Sequence, residues 1–82
     1  MSGTVYLILN ETTFHGTDQV TTEVVEASLS LQAVLDSIQD IAEDSGIYVE
    51  DDANSVVLKG SPGTGIEADE YYIVEMELKT NG

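Results

Sequence analysis

Leu31-Gln32-Ala33-Val34-Leu35-Asp36-Ser37-Ile38-Gln39-Asp40-Ile41-Ala42-Glu43-Asp44 is the stretch on which the fold turns. Leu31, Val34, Leu35, Ile38, Ile41 and Ala42 recur at steps of three and four, which draws one apolar stripe over three helical turns. Just before it, Ser28 or Ser30 can accept a hydrogen bond from a free N–H of the first turn. Just after it, Gly46 can take the left-handed conformation that stops a helix. A helix with one apolar stripe must lay that stripe on another layer, so its flanks set the fold class.

Upstream, residues 4–11 are rich in β-branched and aromatic types and nearly continuous in apolar character. A run that is apolar on both faces predicts a central strand. His15-Gly16-Thr17-Asp18 marks a turn, and residues 19–27 read as a second strand, so the two form a hairpin. Downstream, residues 47–50 and 55–59 read as strands around the polar turn Asp51-Asp52-Ala53-Asn54. Residues 60–65 form a Gly-rich loop holding the single Pro62, and residues 70–80 a long closing strand. In that strand Tyr72, Val74, Met76 and Leu78 line one face, and Tyr71, Ile73, Glu75, Glu77 and Lys79 the other. The alternation predicts that the second set is solvated in the strand's second half. The expected fold is α+β: an antiparallel β-sheet with one amphipathic helix packed on a face, in the order ββαβββ. Leu7, Leu35, Ile38, Val74 and Met76 are its expected core residues.

The chain has 82 residues, which predicts a single domain over residues 1–82. Such a chain buries little more than ~60% of its unfolded surface, so its core is thin. Hydrophobic residues make up 41%, too many for a disordered acidic tail. Sixteen Asp and Glu stand against two basic residues, Lys59 and Lys79, for a net charge of −14. Small domains are comfortably soluble at a magnitude of roughly 2–8. The excess costs stability through self-repulsion and disfavours direct contact with nucleic acid or anionic lipid. Cysteine is absent, which excludes disulfides, thiolate nucleophiles and Cys-ligated zinc. The N-terminus lacks a basic n-region, and the apolar run 5–9 is too short for a signal h-region or a membrane span. A cytoplasmic setting fits these features, with no membrane contact.

Chemical motifs are few. Gly60-Ser61-Pro62-Gly63-Thr64-Gly65 has the glycine spacing of a P-loop, but Ile66 and Glu67 follow where Lys and Ser or Thr are needed. A carboxylate there repels phosphate, and a loop between strands is the better reading. Glu50-Asp51-Asp52-Ala53-Asn54-Ser55 offers hard oxygen ligands. Counted from Asp51, however, an EF-hand frame meets Val56 at position 6 and Pro62 at position 12. A solvated turn is favoured, with weak divalent-cation binding left open. His15, the only histidine, lies in a turn without a nucleophile, orienter and oxyanion site around it. No residue set supports catalysis, and no cofactor is expected.

The acids are the informative constellation. Asp36, Asp40, Glu43 and Asp44 lie on the helix face opposite the apolar stripe. At a rise of about 1.5 Å per residue they occupy about 12 Å of axis. One DNA strand carries a phosphate about every 3.4 Å. The two linear charge densities are comparable. Glu75 and Glu77 on the closing strand extend the set, which together gives six candidate partner-binding residues. An ordinary surface mixes both signs of charge.

In size, charge and α+β organisation the whole chain resembles the small acidic inhibitors of bacteriophages and mobile elements. This DNA-mimic and anti-defence class includes anti-CRISPR proteins and the uracil-DNA glycosylase inhibitor. The opening strand Val5-Tyr6-Leu7-Ile8-Leu9-Asn10-Glu11, with its hairpin and helix, is also similar to small phage proteins. The resemblance implies a non-catalytic interaction protein that occupies the basic cleft of a host nucleic-acid-binding protein, acting in the host cytoplasm. Two other readings stay open: adaptation to a high-salt organism without mimicry, and a weak divalent-cation module. A dimer through a sheet edge is compatible with all of them.

Overall fold

A computed structural model describes residues 2–61 and 63–79. The elements follow in the order β1 (Ser2–Phe14), β2 (Val20–Ser28), α1 (Leu31–Asp44), β3 (Ser55–Lys59) and β4 (Ile66–Lys79). The strands form one antiparallel sheet in the order β2-β1-β4-β3, with α1 on one face. The α+β class and the single helix match the expectation, and β1 is central, as its two-sided apolar character predicts. The order ββαβββ does not hold, because the described residues form four strands rather than five.

The missing strand is residues 47–50. Their backbone is claimed by the helix rather than by the sheet. Ile47 N–H donates to the Ala42 carbonyl (2.8 Å), and the Glu50 carbonyl accepts from Gln39 Nε2 and from Ala53 N–H (3.0 Å). The segment closes α1 against the core through Val49 and then turns into β3. The expected strand end at Thr80 lies outside the described residues.

α1 begins and ends where local chemistry dictates. Ser30, in an extended conformation, is the N-cap, and its side chain accepts from Ala33 N–H at 3.2 Å. At the other end Gly46 (φ 71°) donates to the Glu43 carbonyl at 3.0 Å, beside the bond from Ile47 to Ala42. This pair of bonds is the Schellman motif, which satisfies the last free carbonyls and favours glycine.

The core lies between α1 and the sheet. Ile8, Val34, Ile38, Ala42 and Val56 are buried, with Tyr6, Ile41, Val49, Leu58, Tyr71 and Ile73 packed against them. The register places Tyr6, Ile8, Ile73, Tyr71, Val56 and Leu58 on one face of the sheet. The helix therefore covers the face of Tyr71 and Ile73, and not the face of Val74 and Met76. Of the expected core residues only Ile38 is fully buried; Leu7, Leu35 and Val74 are half-buried, and Met76 is exposed. The cause is visible in β4. Its middle is apolar on both faces, so alternation alone does not say which face meets the helix.

Candidate functional site

Two surfaces with opposite chemistry emerge from this arrangement. The first is the helix-bearing side. Asp36, Asp40, Glu43 and Asp44 are all exposed, while Val34, Ile38 and Ala42 on the other side of α1 are buried. Glu75 and Glu77 are also exposed. They pair with Tyr6 and Thr4, which puts them on the same face of the sheet as the helix. Glu75 lies in the row Ser28–Tyr6–Glu75, where β2 hands over to α1. The fold thus gathers all six candidate carboxylates on one side of the molecule, whereas alternation assigned Glu75 and Glu77 to the face away from the helix.

Other acids on that side are committed to structure. The Glu26 carboxylate accepts from Ser37 Oγ, at 3.0 and 2.9 Å to its two oxygens. Asp69 Oδ1 accepts from Thr12 Oγ1 (2.5 Å) and Asn10 Nδ2 (3.3 Å). Partial burial, then the charges of Asp69 and Glu23, push the Tyr71 hydroxyl pKa above the usual tyrosine range.

The second surface is the opposite face of the sheet, which no element among the described residues covers. Val5, Leu7 and Leu9 of β1 stand across from Met76, Val74 and Tyr72 of β4. A bulge at Val25 restores the alternation, so that Val24 joins Leu9 on this face. Val24 is 59% exposed, Val57 53%, Met76 50% and Leu78 48%, far from the solvated polar face usual for an antiparallel sheet. Glu11 and Glu70 are the strand carboxylates here, paired across β1 and β4, with Lys59 nearby on β3. Tyr72 donates to Glu11 at 3.4 Å. Desolvation, the charge of Glu11 with this hydrogen bond, and Glu70 raise the Tyr72 pKa. Sequence reasoning missed this face as a site, although β1 carried its signature: both faces apolar, with one helix available to cover them.

The remaining motifs take structural places. The Gly-rich segment links β3 to β4 and is followed by a strand, not by the helix a phosphate-binding loop requires. His15 is exposed, and its backbone N–H donates to the Gly65 carbonyl at 2.9 Å. Asp51 and Asp52 are exposed. Among the described residues, no three His, Asp or Glu side chains are grouped to hold a metal ion. An open depression of about 580 Å³ beside β3 is lined by residues including Ile47, Leu58, Lys59 and Asp69. Among the described residues, no helix is long and apolar enough to cross a membrane.

The chain matches no protein-family model, no curated protein and no solved structure.

Proposed function

We propose that this protein is a non-catalytic acidic interaction protein that mimics nucleic acid. It inhibits a DNA- or RNA-handling defence protein of a host cell by occupying its basic cleft. One observation carries the reading: Asp36, Asp40, Glu43, Asp44, Glu75 and Glu77 are exposed together on the helix-bearing side. Concentrated charge of one sign on one side steers a basic partner from a distance and speeds its association. The partner is a basic nucleic-acid-binding protein, and nucleic acid itself is repelled.

The test is capture of basic partners from a bacterial lysate at low salt, followed by competition with labelled duplex DNA and RNA. Mutually exclusive binding supports mimicry; simultaneous, independent binding overturns it. Charge reversal at Asp40 and Glu75 should slow association and flatten its salt dependence. High-salt adaptation gives the opposite result in a simpler assay. A chain whose acids serve only solvation loses its fold in millimolar salt and gains it back on adding salt, and it captures nothing.

A further inference from the structure

We propose that the uncovered face of the sheet is the interface of a homodimer, in which a second copy of this chain packs face to face to form a sandwich. The inference is independent of mimicry, which uses the opposite side.

Large exposed apolar patches on a soluble protein mark contact surfaces. Here the patch runs across all four strands, through Val24, Leu7, Leu9, Val74, Met76 and Val57. Its centre lies on β1 and β4, the two longest strands, so it is not an edge feature.

Charge selects the occupant. Of the strand carboxylates, Glu23, Glu26, Asp69, Glu75 and Glu77 fall on the helix-bearing face and Glu11 and Glu70 on the open one, while Glu67 sits in the β4 bulge opposite Thr13 and Phe14, at the end of the sheet. The acids of α1 face away as well. A basic partner gains little from a face so poor in carboxylate. A second copy gains the apolar burial while its acids point outward. Sheets pack about 10 Å apart, and each helix layer adds further distance. The two acidic surfaces then stand beyond a Debye length of about 8 Å.

Area agrees. Four strands at about 4.8 Å spacing and about ten residues at about 3.4 Å rise give a face of about 650 Å². A standard specific interface buries about 800 Å² per partner, counting side-chain relief. Glu11 and Glu70 also choose the orientation. A two-fold axis along the strands would bring these carboxylates against their copies. An axis across the strands sets them opposite the Gly3–Leu78 end instead, and packs the strands within about 30° of alignment.

Sedimentation equilibrium of the full chain from micromolar to millimolar concentration tests this at physiological and molar salt. The expected result is a monomer–dimer equilibrium that tightens with salt, because screening weakens repulsion between two chains of charge −14. Met76→Lys with Val57→Lys, both exposed in the single chain, should weaken dimerisation about tenfold or more. In the unmodified chain, peptide mapping of peroxide oxidation should show Met76 protected at dimeric concentrations and reactive on dilution. A monomer throughout the range overturns the proposal. So does a dimer that leaves Met76 fully reactive, which would place the contact at a sheet edge.

Discussion

Ser37 on α1 and Glu26 on β2 are joined side chain to side chain, with the Ser37 hydroxyl 2.9 and 3.0 Å from the two carboxylate oxygens. The bond fixes the azimuth of the helix over the sheet and gives a half-buried carboxylate its donor. The same hydroxyl lies 3.1 Å from the Ala33 carbonyl, so its one proton is shared. Ser37→Ala is expected to cost about 1 kcal/mol, the net worth of such a bond. A double-mutant cycle with Glu26→Ala in urea melts should show coupling; strict additivity would mean the pair is incidental.

Ile38→Ala should cost about 2–5 kcal/mol, since Ile38 is fully buried beneath the helix. Met76→Ala, measured at micromolar dilution, should cost under about 1 kcal/mol, because its side chain is half exposed in the single chain. Equal losses at the two sites would place the helix over the Met76 face of the sheet instead.

Gly60 is where backbone meets backbone. A Cβ there would sit 1.8 Å from the Ile66 carbonyl oxygen and 2.5 Å from its carbon. Gly60 N–H also donates to the Glu67 carbonyl at 2.9 Å. Gly60→Ala should therefore cost about 1–3 kcal/mol by forcing the β3–β4 loop apart. Gly3→Ala, with open space around it and no positive φ, should be neutral within about 0.5 kcal/mol. Thermal melts of the two variants give the contrast.

Replacing Asp36, Asp40 and Asp44 by Asn should leave the helix intact and raise the melting temperature. All three are exposed, and like charges four residues apart repel. Gln32 Nε2 donates to Asp36 Oδ1 at 2.9 Å, and an amide oxygen still accepts that exposed bond, though more weakly than a carboxylate. Loss of far-UV helical signal would make these acids structural and remove the helix from the proposed interface.

Tyr71 and Tyr72 couple stability to alkaline pH. Both hydroxyls have folded-state pKa values above the usual value of 10.0. The neutral forms are thus favoured by the fold. Their contribution is complete below the unfolded value and is lost as pH rises through the higher folded values. Urea midpoints should fall above about pH 10. Tyr71→Phe together with Tyr72→Phe should blunt that fall, and an unchanged alkaline slope would contradict the assignment.

Local physics made part of this fold legible in the sequence alone. Ser30, the stripe from Leu31 to Ala42 and Gly46 delimit α1 because caps and a 3.6-residue period act within a few residues. The strand at Tyr6–Leu9 is central because only a doubly apolar strand belongs there. The exposed positions of Asp36, Asp40, Glu43 and Asp44 follow from the same helical period. Tertiary structure decided the rest. Periodicity establishes which residues share a face, but not which face the helix takes, and β4 is apolar on both at Tyr71–Val74. Residues 47–50 had strand character, yet Gln39 and Ala42 claimed their hydrogen bonds, a contact no local pattern encodes. The pairing of β1 with β4, which joins Asn10 to Asp69 across 59 positions, uncovers the apolar face and brings Glu75 and Glu77 to the side of the helix. Such placements arise from competition among long-range contacts for a limited helical surface, and that competition is settled only when the whole chain is packed.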